Sequence, residues 1–266
     1  MCVRFMARII GIVNQKGGVG KTTTAVNLGA YLADHGKFVL IVDLDPQTNA
    51  SSGIGVDVSA IERSVYDAML NRVSMRDIVQ STMHETLRVA PATSSLAGLN
   101  AELPHLEGKE FKLHDALREI RNDYDYILID CPPTLGYITL NGIVASDEIL
   151  IPVQAEYFAL EGLADLLQTL DLVKQRIRPD IKILGAVLTM YDKRCKLSND
   201  VLQELYKYFP NNIFRSVIPR SVRLAEAPSF GRSIAAFDAN NPGAKAYERL
   251  AREIMGTESF ATNTNL

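Results

Sequence analysis

The residues best suited to phosphate chemistry form one run near the amino terminus, Lys16–Thr23 (KGGVGKTT). Three of its residues are glycines: Gly17, Gly18 and Gly20. Without Cβ atoms, these glycines allow backbone N–H groups to converge on phosphate oxygens, and a helix starting here adds its partial positive charge. Lys21 would then reach the β- and γ-phosphates, and the Thr22 hydroxyl would ligate Mg²⁺. The run therefore predicts a nucleoside triphosphate site.

The run departs from the standard phosphate-loop pattern, G-x-x-x-x-G-K-[ST], at its first position. The pattern requires glycine at position 15, where this chain has Gln15, and the chain adds a lysine at position 16. An alternative interpretation is a plain glycine turn with an incidental lysine, but the preceding strand and following helix favour the phosphate site. The predicted nucleotide-binding residues are Gly17, Gly18, Val19, Gly20, Lys21, Thr22 and Thr23.

Carboxylates at the ends of two predicted strands complete the pocket. Asp130 ends one apolar strand, where a carboxylate lies beside the metal ion of a phosphate loop, usually through water. Asp43 and Asp45 follow the second strand, where a carboxylate can orient the attacking water. Either position is also compatible with an Asp that only caps the next element. The Asp43-x-Asp45 spacing also occurs in metal motifs of glycosyltransferases.

The elements that position these residues alternate along the chain. The predicted strands are short Ile/Val/Leu-rich runs, typical of strands covered on both faces: Ile9–Asn14, Phe38–Asp43, Leu87–Ala90, Tyr126–Asp130, Glu148–Val153, Ile183–Thr189 and Ile213–Ile218. The predicted helices are Thr22–His35, Lys109–Asn122, Ala159–Arg176, Ser198–Tyr208 and Ala244–Met255. This alternation predicts an α/β fold: one doubly wound, mostly parallel sheet with helices on both faces.

Composition narrows the class of protein. With 266 residues, 47% of them hydrophobic and 22% charged, the chain is long enough for one core without disulfides or a structural metal. No apolar run reaches the length of a bilayer span, and the three cysteines are far apart. We therefore expect a cytoplasmic protein, with one domain over residues 7–256 and a flexible polar tail over 257–266.

Taken together, KGGVGKTT, DLDPQ (43–47) and ILIDCPP (127–133) resemble the ParA/MinD group of deviant Walker A ATPases. The resemblance covers the chain from Ile9 to about Met255. It implies that two subunits sandwich ATP and that Lys16 is the signature lysine, which crosses the interface to the partner's phosphates. It also implies that Gly17 lies where two backbones approach closely, that Asp45 serves the attacking water and metal, and that Asp130 belongs to the metal shell.

Branches of this group differ in the partner or cofactor that the ATP-bound dimer binds. MinD-type proteins end in a basic amphipathic helix, whereas residues 257–266 contain no Lys or Arg. Nitrogenase iron protein bridges an iron–sulfur cluster with two cysteines per subunit. Cys131 lacks a plausible second ligand and is interpreted as a buried apolar residue. Longer plasmid ParA proteins carry an amino-terminal helix-turn-helix domain, for which a phosphate loop at residue 16 leaves no room.

The DNA-partition branch fits best. Residues 189–194 and 218–229 resemble segments of chromosomal ParA (Soj-like) proteins, in which arginines help to bind nonspecific DNA and the loop around Pro219 lies near the adenine. By this resemblance the DNA-binding residues are Arg194, Arg220 and Arg223. The stretch Lys182–Arg232 contains nine basic and four acidic residues, a net charge of +5 in a chain of −3. Without the resemblance, these are compatible with ordinary solvated side chains.

The sequence thus predicts a slow Mg²⁺-dependent ATPase for chromosome or plasmid partition. An ATP-dependent homodimer would bind nonspecific DNA at the nucleoid, and a ParB-like partner would stimulate hydrolysis and release. A rival interpretation is a MinD-like or other positioning ATPase that acts on a membrane or protein surface. A scaffold with an inactive site is a third.

Overall fold

A computed structural model describes residues 6–156, 161–210 and 212–256. Seven strands form a single sheet in the order β3-β4-β2-β5-β1-β6-β7. The strands are Arg8–Ile12 (β1), Val39–Asp43 (β2), Gln80–Ser81 (β3), Leu87–Ala90 (β4), Tyr126–Asp130 (β5), Glu148–Gln154 (β6) and Lys182–Thr189 (β7). All neighbours pair in parallel except β3, which runs antiparallel to β4 at one edge.

Helices connect these strands. They are Lys21–Asp34 (α1), Asn49–Gly53 (α2), Val65–Met69 (α3), Met75–Ile78 (α4), Leu99–Glu102 (α5), Lys112–Arg118 (α6), Tyr137–Ala145 (α7), Glu161–Arg176 (α8), Lys196–Tyr208 (α9), Val222–Glu226 (α10), Ile234–Phe237 (α11) and Pro242–Ile254 (α12). Short 3₁₀ turns occur at Val58–Ala60, Ser94–Gly98, Leu103–His105, Arg121–Asp123 and Ala227–Phe230. No described helix is long and apolar enough to span a membrane.

The core lies on both faces of the sheet, because successive strand residues point to opposite sides. Ile9 packs in one cluster with residues of α3 and α6–α9. Its neighbour Ile10 packs in the other, with α1, α11 and α12. The predicted α/β class, with a doubly wound and mostly parallel sheet, is therefore confirmed.

The predicted strand Ile213–Ile218 is wrong. The backbone of the segment pairs with β7 only through the Ala186↔Ile213 bridge and through the Ile218 N–H, which donates to the Leu188 carbonyl at 2.8 Å. Between these points the N–H groups of Arg215 and Ser216 donate to the buried carboxylate of Glu253 in α12 (2.9 and 2.8 Å). Backbone donors directed to that carboxylate cannot form a ladder with a neighbouring strand.

Most predicted helices differ from the observed ones by one to four residues at one or both ends. The predicted helix Lys109–Asn122 begins only at Lys112, because the Asn141 side chain binds the Lys109 carbonyl (2.7 Å) and caps the Leu113 N–H (3.2 Å). The predicted helix Ala159–Arg176 is α8, and its first two positions lie outside the described residues. The predicted tail 257–266 also lies outside them, so its flexibility stays a prediction.

Sequence reasoning missed α7, the helix between β5 and β6. Its residues are almost all buried, so the apolar side chains surround the helix and leave no amphipathic stripe to detect. Gly142 allows this helix to approach the sheet, since a Cβ there would lie 2.6 Å from Cys131 Sγ and 3.0 Å from Leu44 Cδ1.

We expect Gly142→Ala to lower the free energy of unfolding by about 1–3 kcal/mol, because the added methyl overfills this contact. Gly162→Ala in α8 is the matched control. Its Cβ would meet no atom of the described residues within 4 Å, so helix propensity alone should leave stability unchanged or raise it by up to about 1 kcal/mol. Urea unfolding of the three proteins measures both effects. Equal stability of Gly142→Ala and wild type would mean that α7 is not held at this distance.

Candidate nucleotide site

The site lies at the carboxyl edge of the sheet, next to β1. On the two sides of this strand the chain builds the sheet in opposite directions. β1 pairs with β5 on one side and β6 on the other, so the loop that follows β1 emerges above a crevice. Asp130 at the end of β5 is in register with Ile12 of β1 and with Asp43 of β2. Open parallel sheets bind ligands at this kind of switch point.

The phosphate loop has the backbone that the sequence predicts. Gly18 and Gly20 adopt left-handed φ angles of 74° and 90°, which few other residues tolerate. α1 then begins at Lys21. Val19 is buried, and its carbonyl accepts a hydrogen bond from the Thr189 hydroxyl at 2.7 Å, which ties the loop to the end of β7. A Cβ at Gly17 or Gly18 would meet no atom of the residues that the structure describes within 4 Å, so these residues leave this side of the loop open.

The two lysines of the loop have different surroundings. Lys21 is only 6% exposed, and its ammonium donates to the Lys16 carbonyl at 3.1 Å. Burial lowers the pKa of Lys21, while the charges of Asp130, Cys131 and Asp45 act in the opposite direction. The side chain of Lys16 is 34% exposed and reaches away to Glu156, with Nζ 3.6 Å from Oε2. One ammonium thus faces the loop's interior and the other its rim.

Asp130 carries the clearest mark of a missing ligand. The residue is fully buried, and neither of its carboxylate oxygens has a hydrogen-bond partner among the described residues. Burial, and then the charge of Asp43, raises the pKa of Asp130 well above its usual value, whereas the Thr22 side chain and Lys21 lower it. A buried carboxylate that makes no hydrogen bond of normal length, and that only the nearby Thr22 hydroxyl and Lys21 stabilise, fits the water shell of a bound Mg²⁺.

The described residues contain no cluster of three His, Cys, Asp or Glu side chains able to hold a metal ion. Mg²⁺ at phosphate sites is usually held by one or two carboxylates together with phosphate oxygens and water. Thr22, Asp45 and Asp130 are the protein groups of this site that would hold the ion.

Asp43 and Asp45, which the sequence left as a pair, have separate environments. Asp43 is fully buried and accepts hydrogen bonds from Ser51 N (2.9 Å), Ser51 Oγ (2.7 Å) and Asp45 N (3.1 Å). Burial raises its pKa to about 6. Asp45 is partly exposed, and its Oδ1 accepts only from the Gln47 N–H. Asp43 therefore positions the loop, and Asp45 faces the space above it.

A cavity of about 320 Å³ opens beside the phosphate loop. It contains the predicted residues Thr23 and Pro219, and Pro219 is held by a backbone bridge to Tyr191. Met190, Leu224 and Ala225, which also line the cavity, lie in the two segments that resemble chromosomal ParA proteins. Tyr247 escaped the sequence analysis, because it comes from α12, which is distant in sequence. Its mixed apolar and backbone lining suits a purine base next to the phosphates.

The three arginines predicted to bind DNA are all exposed and all paired with acids. Arg194 binds Asp192 through two nitrogens (3.0 and 2.7 Å), and together with Arg220 it lowers the pKa of Asp192 to about 2. The other pairs are Arg220 with Glu156 at 3.4 Å and Arg223 with Glu226 and Asp238 at 2.9 and 3.3 Å. The sequence analysis missed Glu156 and Asp238, because both lie outside the basic stretch.

Comparison with known proteins relates the whole arrangement to a family. A family model described as an AAA domain matches residues 7–183. The chain is 50% identical over 249 residues to the sporulation initiation inhibitor protein Soj of Bacillus subtilis (strain 168), a match that covers 94% of this chain and 98% of Soj. It is 48% identical over 250 residues to the chromosome partitioning protein ParA of Myxococcus xanthus (strain DK1622), covering 94% and 88%.

Similarity extends to solved structures. The cobyrinic acid a,c-diamide synthase from Mycobacterium smegmatis with bound ATP analog and magnesium has a TM-score of 0.84 and 34% identity, over 97% of this chain and all of that one. The identities with the partition proteins are higher, and they extend beyond the phosphate loop to nearly the whole chain.

Lys21→Ala should weaken ATP binding by about 10- to 150-fold, since it removes a charge-assisted contact worth about 1.5–3 kcal/mol. Titration of a fluorescent ATP analogue with Mg²⁺ measures the loss. Lys174→Ala, an exposed lysine on α8, removes the same charge outside the site and should bind as wild type does. Unchanged affinity in Lys21→Ala would contradict the assignment of the phosphate loop.

Proposed function

The chain belongs to the ParA/Soj family of chromosome-partitioning P-loop ATPases, which use ATP and Mg²⁺, and we propose that it partitions a chromosome or plasmid through an ATP-dependent dimer. In this proposal two chains sandwich two ATP molecules, and the dimer binds nonspecific DNA in the cytoplasm at the nucleoid. A ParB-like partner stimulates hydrolysis, which returns the protein to single chains.

The proposal depends mainly on the different positions of the two loop lysines, Lys21 and Lys16. Lys21 is buried and turned into its own loop, so it serves the phosphates of its own chain. Lys16 lies at the rim with its ammonium beyond the loop, where a second chain can meet it. A cation supplied in this way offsets phosphate charge only in the dimer, which makes dimerisation depend on the nucleotide.

The remaining residues support hydrolysis of the terminal phosphate. Asp45 orients the water that attacks the γ-phosphorus, and the bond to the β-phosphate oxygen breaks to give ADP and phosphate. Mg²⁺ held near Thr22 and Asp130 would neutralise charge on the phosphate oxygens. Asp43 fixes the turn that carries Asp45 through its bonds to Ser51. Turnover is slow until an activator completes this geometry.

DNA binding is assigned to the basic segment, defined as residues 182–232. It carries Arg194, Arg220 and Arg223. Arg220 itself lines the cavity beside the phosphate loop, here called the base cavity, and Arg223 follows its lining residues Ser221 and Val222. A dimer doubles the segment's positive charge, and each neutralised phosphate releases counterions whatever the base sequence. ATP binding therefore strengthens DNA binding, because it favours the dimer that carries two basic segments.

Gly17→Val tests the sandwich. A Cβ at this position meets no atom of the described residues within 4 Å, so the variant should fold and bind ATP normally. It should nevertheless stay a single chain with a slowly hydrolysed ATP analogue and Mg²⁺, because the side chain fills the space between two loops. Light scattering coupled to size exclusion measures this, with Gly17→Ala as the smaller step of the series. A Gly17→Val dimer as stable as wild type would refute the face-to-face arrangement.

Binding of the protein to DNA, measured across a salt series, tests whether nonspecific DNA is a partner of the ATP-bound dimer. Wild type with ATP should bind a duplex of arbitrary sequence more tightly than with ADP. Arg220→Ala should weaken binding and make the log–log salt slope shallower by about 1.8, because each dimer would neutralise two fewer phosphates, at about 0.9 each. Arg249→Ala, an exposed arginine on α12, is the charge-matched control.

A parallel assay with liposomes distinguishes the proposed function from the rival MinD-like function. Cosedimentation with anionic liposomes, but not with DNA, when ATP is present would favour a MinD-like protein that acts on a membrane surface. Loss of both DNA binding and dimerisation in Arg220→Ala would mean that the arginine is structural.

A further inference from the structure

Glu156 joins the two cations on which the proposed function depends. Its Oε2 lies 3.6 Å from the Lys16 ammonium, and its Oε1 lies 3.4 Å from Arg220 Nη2. The side chain of Gln154 donates to the same Oε1 at 2.8 Å and steadies the carboxylate. One acid therefore holds both the lysine assigned to the partner's ATP and an arginine assigned to DNA.

The sheet explains why these residues meet. β6 lies between β1 and β7, so the segments that follow these three strands emerge side by side at the carboxyl edge. Lys16 follows β1, and Glu156 follows β6. Arg220 is brought to the same place because its N–H donates to the carbonyl of Tyr191, just after β7, at 3.1 Å. The contact is thus a product of topology, and the separation of 140 residues between Lys16 and Glu156 hides it from sequence patterns.

Glu156 differs from the acids that pair with the other arginines. Asp192, Glu226 and Asp238 each bind Arg194 or Arg223, and none forms an ion pair with Lys16 in the part of the chain that the structure describes. Separate oxygens of Glu156 contact the two cations, so both can be held at once. Either cation must leave the carboxylate before it can reach phosphate.

We propose that Glu156 is a restraining counter-ion, which holds Lys16 and Arg220 within one chain and opposes both dimerisation and DNA binding. The inference rests on the proposed function, because it takes the roles of Lys16 and Arg220 from it. A triphosphate or a DNA backbone carries more negative charge than one carboxylate, so either can displace it. Breaking the ion pairs costs free energy in each case, so the restraint lowers the affinity of a chain without ATP for DNA and for a second chain.

Glu156→Gln tests the restraint on dimerisation. The amide keeps the shape and can still accept from Gln154, but it loses the charge. With a slowly hydrolysed ATP analogue and Mg²⁺, sedimentation should show a dimer about two- to thirty-fold tighter than wild type, because two exposed ion pairs, each worth about 1.4- to 5-fold, no longer have to break. The difference should shrink at high salt, which an effect of folding alone would not do.

Glu204→Gln is the matched control for this measurement. Glu204 is as exposed as Glu156 (44% against 45%) and also has a lysine partner, Lys207, but it lies on α9. Its substitution changes the net charge of the chain by the same amount and should leave dimerisation unchanged. A tighter dimer in both variants would reduce the effect to net charge and overturn the proposal.

A double-substitution cycle tests the restraint on DNA binding. With ADP, Glu156→Gln should tighten binding to a short duplex about two- to five-fold by fluorescence anisotropy, as expected for one released arginine. The same substitution in an Arg220→Ala chain should have no such effect, because no arginine remains to be released. Equal effects in both chains would overturn the restraint on Arg220.

The outcomes separate this inference from the proposed function. If wild type neither dimerises nor retains DNA with the ATP analogue, the proposed function fails and the inference fails with it. If wild type does both, but Glu156→Gln dimerises less well than wild type, then Glu156 aims Lys16 at the partner instead of restraining it. That result would overturn the inference alone.

Discussion

The rest of the site depends on one constraint: the charged side chains around Lys21 are buried and must be paired or ligated. A nearly inaccessible ammonium and the fully buried carboxylates of Asp43 and Asp130 meet at the carboxyl edge of a parallel sheet. Such groups are costly to bury unless they are paired or ligated. Asp43 is satisfied by Ser51, whereas Asp130 has no donor among the described residues, so the fold leaves one carboxylate whose partner must come from outside.

Local motifs made the phosphate loop predictable. The types and spacing of Gly18, Gly20 and Lys21 prescribe the turn, the left-handed angles and the helix start, since each depends only on neighbours in sequence. The ends of β2 and β5 could be predicted for the same reason. The split roles of Asp43 and Asp45 could not, because they depend on Ser51, which reaches back across a turn to the end of β2.

Contacts between distant segments account for what sequence reasoning missed. The apolar run 213–218 has the composition of a strand, but Glu253 from the last helix takes its N–H groups. The base cavity includes Tyr247, which no motif marks, because α12 packs beside α1. The acids that pair with Arg220 and Arg223 come partly from outside the basic segment, so a charge count over that segment overstates its free positive charge.

The hydrogen bonds that Glu253 accepts also determine when the cavity can form as the chain is synthesised. Arg215 and Ser216 lead into the base cavity wall, and the carboxylate that fixes them lies 37 or more residues further along the chain. Tyr247 joins the same wall from the same helix. The phosphate loop precedes α12 in the chain, so it leaves the ribosome first, and the cavity wall cannot close until α12 has emerged. A nascent chain therefore carries an incomplete nucleotide pocket, and the complete one forms only when α12 docks.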